Sequence, residues 1–201
     1  VYVGAIIFAL FLLGCFVVKG PVKWALLAVT LLSVFLSWGH NMMWLTDLFI
    51  DHFPMYNKFR TVSSILVIAE LTMPLLAALA LQKALSEPDF LAKHKRATLA
   101  AFGVSAALCL VFALFPGMFG TFSQQETEAY INSGQLQQVP SLSEAIATIR
   151  HSLVSADAWR SLAFIVVAFA LLYGYLAGKV KVKPAVAGTV VALLVLADMF
   201  A

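Results

Sequence analysis

Residues 1–18 read VYVGAIIFALFLLGCFVV, an apolar run without a single charge. A membrane-crossing helix needs about 20 predominantly apolar residues, within a range of about 17–25. Backbone polar groups in lipid have to be satisfied inside the segment, so such a run predicts a helix. Five further apolar runs follow: Val22–Trp38, which is short by this measure and can be extended through Met43, then Thr61–Leu81, Ala97–Phe115, Ala158–Ala177 and Pro184–Phe200. Across the 201 residues, 62% are hydrophobic and 11% charged, against roughly 45–50% and about 25% in a soluble domain. A core of this size cannot hide that much apolar surface, so its solvent has to be lipid. The sequence therefore predicts an all-α fold: a polytopic transmembrane helix bundle of about six crossings, with short interfacial or extracytoplasmic helices. Residues 1–201 read as one transmembrane domain. The first apolar run is already under way at Val1, and a piece of a longer polytopic protein is expected.

The charges orient the bundle. Lys19 and Lys23 join the first two runs, Lys83, Lys93, Lys95 and Arg96 the third and fourth, and Lys179, Lys181 and Lys183 the last two. The opposite links hold Lys58, Arg60, Arg150 and Arg160. Lysine and arginine concentrate in cytoplasmic loops, so the nine-residue side is expected inside and both ends of the chain outside. The outer links, residues 38–60 and 116–157, are longer and chemically richer. Function concentrates on loops held by a rigid scaffold, which makes the outer face the expected working face. An inverted repeat of three helices fits the orientations, but the long outer links fall at unequal places in the two halves.

The segment HNMMWLTDLFIDHFPMYNKFR, from His40 to Arg60, is the most unusual. Trp44, Leu45, Leu48, Phe49 and Phe53 recur at helical spacing, with Asp47 and Asp51 one turn apart on another face. This suits a short helix in the membrane interface, ended by Pro54. Asp47 and Asp51 beside Lys58 and Arg60 form a set able to hold a phosphate, a sugar or a divalent cation. The plainer alternative is a solvated acidic face followed by anchoring cations.

Glu70 falls ten residues into the third run, near the middle of the hydrocarbon by this count. Ser63, Glu70 and Ala77 recur at seven-residue spacing, with Pro74 one turn below. An ionisable group at such depth is a functional hypothesis by default; the alternative is a protonated carboxyl bonding a neighbouring helix. Ser141-Leu-Ser-Glu144 has the capping-box pattern, so an amphipathic helix is expected to about Leu153. Asp157 and Arg160 then open the fifth crossing, where Asp157 suits a helix N-terminus and Arg160 is a candidate phosphate contact. Asp198 ends the last run on the outer side.

Other chemistry is excluded or unsupported. Cys15 and Cys109 both lie inside apolar runs and read as packing residues rather than a disulfide or metal pair. His40, His52, His94 and His151 have no metal-ligand spacing. There is no phosphate-binding glycine loop, nucleophile elbow or zinc-protease motif, and no basic patch interleaved with aromatics for nucleic acid. No resident cofactor is implied; a divalent cation at the outer acids is left open.

The stretch WLTDLFIDHFPMYNKFRTVSSILVIAELTMPLLAALAL resembles the YfhO-like family of bacterial membrane proteins in its Bacteroidetes form. Asp47, Asp51, the run from Pro54 to Arg60, Glu70 and Pro74 carry the resemblance. Asp157-Ala-Trp-Arg160-Ser and the terminal helix ending in Asp198 are similar as well. The resemblance implies the glycosyltransferase-C architecture, whose enzymes take sugars from polyprenyl-phosphate carriers at the outer leaflet for cell-envelope glycosylation. It also implies that this chain holds the later helices, with the catalytic acid in a loop upstream. Asp47, Asp51, Lys58, Arg60, Glu70, Asp157 and Arg160 become candidate carrier or sugar contacts. The implied partners are the bilayer, a polyprenyl-phosphate sugar and an envelope glycopolymer, in a bacterial cytoplasmic membrane. A transporter or flippase of a lipid-linked substrate, and a non-catalytic scaffold of envelope assembly, are the alternatives.

Overall fold

The structure is a computed structural model that describes residues 3–38, 44, 48, 52, 65–118, 140–180 and 182–200. The described residues form six helices and no strand: α1 (Ala5–Val17), α2 (Pro21–Ser37), α3 (Leu66–Ser86), α4 (Phe90–Leu114), α5 (Pro140–Leu176) and α6 (Pro184–Phe200). Three of them, α3, α4 and α5, are long and apolar enough to cross a membrane, while α1, α2 and α6 are shorter apolar helices. The expected all-α bundle is what the chain forms.

Burial is arranged as lipid demands. In α2 the buried residues are Thr30, Ser33 and Leu36, whereas Trp24, Leu31 and Trp38 point outward. Leu71 of α3 is 71% exposed, while Thr72 beside it is 7% exposed. In lipid there is no hydrophobic drive to hide leucine, and small or hydroxylated residues let helices approach and bond. Buried hydroxyls find acceptors on their own helices: Ser33 donates to the Thr30 carbonyl, Thr98 to His94 and Ser105 to Ala101. Thr30 and Thr72 meet at 2.7 Å across the α2–α3 interface.

The exception to this pattern is α1, the hub. Eight of its thirteen residues are buried, Ile6, Ala9, Leu13 and Val17 completely. It packs against α3, α4, α5 and α6. Gly14 makes the closest approach: a Cβ there would lie 2.9 Å from the Leu76 carbonyl oxygen of α3, so no larger residue fits without parting the two helices. The α3–α4 turn is tight. Asp89 takes the left-handed conformation (φ 61°), which Asp tolerates better than most side chains.

Among the element boundaries, two differ most from the sequence reading. The expected break between an amphipathic helix ending near Leu153 and a new crossing opened by Asp157 does not exist: α5 is one helix of 37 residues. From Ser141 to Tyr173 there is neither Gly nor Pro, and without a breaker the helix continues through its polar middle. At about 1.5 Å per residue it is about 55 Å long, which exceeds a hydrocarbon core by about 25 Å. Likewise α4 starts at Phe90, so Lys93, Lys95 and Arg96 are helical, with a kink at His94 (φ −121°, ψ 18°).

The links sort into two ends. Lys83 of α3 reaches the Val17 carbonyl of α1, Lys23 of α2 the Cys15 carbonyl, and Gly188 of α6 lies against Leu85 of α3. All three contacts mark a lysine end. At the opposite end Ser155 of α5 donates to the Ala113 carbonyl of α4 and Asp198 meets the start of α1.

Candidate functional site

The candidate residues divide by what the structure describes. Asp47, Asp51, Lys58 and Arg60 lie outside the described residues. Within the expected interfacial helix, Trp44, Leu48 and His52 are helical, each one turn from the next, and all are exposed. His52 Nδ1–H donates to the Leu48 carbonyl at 3.1 Å, the i to i−4 pattern of a helix side chain folded back on its own turn.

Asp157 and Arg160 are brought together. They sit one turn apart within α5, with Arg160 Nη1 3.5 Å from Asp157 Oδ1. That distance is an ion pair rather than a hydrogen bond. Asp157 is well exposed and Arg160 about one-third exposed. Because α5 is unbroken, Asp157 is not at a helix N-terminus, and the expected helix-dipole role is withdrawn; its partner is Arg160. The buried Nε of Arg160 has no hydrogen-bond partner among the described residues. The guanidinium therefore has an unpaired Nε–H beside a carboxylate that only loosely engages it.

Glu70 is part-buried on α3, between buried Ala69 and Thr72 and outward Leu71. It makes no hydrogen bond or ion pair with another described residue. One turn on, Pro74 lies inside the helix. Proline has no N–H to return to the carbonyl four residues back, so the Glu70 carbonyl loses its intrahelical partner. Glu70 thus brings two acceptors, a carboxyl and a freed carbonyl, to one level of the bundle. Gly14 faces Leu76, and α1 and α3 run the same way. Glu70 therefore lies about 9 Å from that contact toward the end away from the lysines.

Asp198 is the residue the sequence undervalued. It is 1% exposed, and its Oδ2 accepts the Ile6 N–H of α1 at 3.1 Å. Ile6 is in the first turn of α1, whose N-cap, Gly4, offers no side chain. Gly4 has φ 88° and its missing Cβ would lie 3.2 Å from the same carboxyl oxygen, so glycine serves both the backbone and the approach. The sequence signal was present as a lone acid at the end of an apolar run; its partner lies 192 residues away.

Among the described residues no group of His, Cys, Asp and Glu is arranged to hold a metal ion. At the lysine end a cleft of about 360 Å³ lies between the α3–α4 turn and Tyr175 and Leu176. Of the two acids that line it, Glu87 and Asp89, Glu87 is paired with Lys93 at 3.2 Å, and that bond holds its carboxyl below the usual range. No family model matches the chain, and neither a curated protein nor a solved structure matches it.

Proposed function

We propose that this chain supplies the later helices of a membrane glycosyltransferase that takes sugars from polyprenyl-phosphate carriers, in the YfhO-like manner its sequence resembles. In this reading the lysine end is cytoplasmic and the work is done at the opposite end, for the bacterial cell envelope. The acceptor oxygen bonds to the sugar's anomeric carbon while the bond to the carrier phosphate breaks. A carboxylate base in another part of the protein takes the acceptor's proton. The contribution of this chain is a cation for the leaving phosphate. The observation that supports it is Arg160: a part-exposed guanidinium with an unbonded Nε, held loosely by Asp157. Arg60, Lys58, Asp47 and Asp51 belong to the same proposed surface.

The test is a donor assay on the full-length protein with a panel of polyprenyl-phosphate sugars. Arg160→Lys and Arg60→Lys keep a charge but lose the planar fork. Each is expected to lower turnover about tenfold, which is about 1.4 kcal/mol at the transition state, at unchanged membrane expression. Normal turnover in both variants removes the phosphate role.

A transport reading of a lipid-linked substrate draws on Glu70, whose carboxyl and freed carbonyl form the kind of acceptor pair that an intramembrane polar pathway uses. Glu70→Gln separates the two. It retains most activity if Arg160 is the centre and abolishes it if proton exchange at Glu70 is.

A further inference from the structure

The least secured helix of the bundle is α6. Of its seventeen residues only Val191 and Asp198 are buried, while Leu193, Leu196 and Phe200 are 60%, 50% and 89% exposed. In lipid, apolar side chains gain nothing by leaving the acyl chains for a neighbouring helix, so association depends on close packing and on polar bonds. α6 has one of each. At the lysine end Gly188 lets the helix settle on Leu85, where a Cβ would be 3.3 Å from the leucine Cδ1. At the other end the Asp198 carboxyl takes the Ile6 N–H.

The same bond serves α1. The first N–H groups of a helix have no partner within it, water is not at hand to replace one, and Gly4 has no side chain to offer. Undocking α6 would strip α1 of its acceptor and expose the buried carboxyl together. The last helix and the start of the first are therefore coupled through the Asp198 side chain.

We infer that Asp198 is a latch: it fixes the outer half of α6 against α1, and its release frees that half of α6 while leaving α1–α5 assembled. The inference rests on the bundle lying in lipid and not on the glycosyltransferase reading.

Pulsed electron–electron spin resonance on the full chain in phospholipid nanodiscs tests it. Cys15 and Cys109 are replaced by Ala, and spin labels are placed at exposed Leu71 of α3 and exposed Leu196 of α6. A second labelled pair, Leu71 with Leu108 of α4, reports on the rest of the bundle. The parent is expected to give one narrow distance for each pair. Asp198→Asn keeps an acceptor oxygen and is expected to stay narrow. Asp198→Leu is expected to broaden the α3–α6 distances toward longer values and to leave the α3–α4 pair unchanged. A narrow α3–α6 distance in Asp198→Leu overturns the latch. So does a broadened α3–α4 pair, because the residue would then hold the whole bundle. Broadening in Asp198→Asn equal to that in Asp198→Leu overturns the role given to the acceptor oxygen.

Discussion

The two ends of α1 are closed by opposite chemistry. Its first turn is met by an acid, Asp198 from α6, and its last turn by two cations, Lys23 from α2 and Lys83 from α3. A helix carries partial positive charge at its N-terminus and partial negative charge at its C-terminus, and each side chain has the sign its end requires. Neither end uses a neighbour in sequence as a side-chain cap. Elsewhere water would satisfy these groups. In a helix this buried, the satisfaction comes from three other helices, and α1 thereby fixes where they stand. The two ends are not equivalent, however. Lys83 approaches Val17 at 2.9 Å while Lys23 stays 3.4 Å from Cys15, so the lysine end has one firm contact and one weak one.

If close packing at the middle of α1 outweighs its ends, Gly14→Val should be the most damaging change here. Its Cβ would meet the Leu76 backbone at 2.9 Å, and overpacking of this kind costs about 3 kcal/mol. Reversible unfolding in mixed micelles measures it; a tolerated valine would mean that the end contacts alone position α1. The next effect is at the lysine end. Lys83→Met keeps the stem and leaves the Val17 carbonyl without its donor, a loss of about 2 kcal/mol, whereas Lys23→Met should cost about 0.5 kcal/mol. Equal losses in the same assay would erase the distinction between the firm and the weak contact.

Away from α1, the Thr30–Thr72 pair offers a control on polar contacts within the bundle. Each hydroxyl also lies within reach of its own helix, Thr30 at the Leu26 carbonyl and Thr72 at Ile68. One hydroxyl has one proton, so only one of the pair donates across while the other keeps its intrahelical bond. Thr72→Val is therefore expected to cost about 0.6 kcal/mol, the average for such bonds in a membrane. A loss as large as that of Lys83→Met would show that charge is not what distinguishes the ends of α1.

The smallest effect concerns Glu87, also at the lysine end but in the α3–α4 turn. Its carboxyl is lowered by the hydrogen bond from Lys93. A carboxyl depressed in the folded state adds stability above its ordinary pKa and loses it as pH falls through the depressed value. Lys93 is 58% exposed, so solvent screens the pair. Acid titration of unfolding should show a slight loss below the ordinary carboxylate range, and Lys93→Ala should flatten it. A steep acid transition that survives in Lys93→Ala would place the sensitive carboxyl elsewhere.

The helices themselves were legible because lipid leaves so few choices. Long apolar runs have to be helical, and α2 and α6 begin and end within a residue of the expected bounds. The lysine clusters likewise gather at one end of the bundle, as short links between antiparallel neighbours require. The seam expected before Asp157 failed for a local reason: polar residues such as Ser155 and Asp157 mark a surface but do not stop a helix, whereas Gly or Pro would. Ser155 turns its hydroxyl to the Ala113 carbonyl of α4, a partner no local pattern names.

By itself, then, the sequence determined the fold class, the number of apolar helices and the segregation of basic residues, all properties of single segments facing lipid. Only the tertiary structure decided that α1 is the hub, that Arg160 is the partner of Asp157 inside an unbroken α5, and that Asp198 belongs to the first turn of α1. The physical reason is common to these. A buried polar group is specified by its partner, and the partners of Ile6, Cys15 and Val17 come from whichever helix packing places beside them.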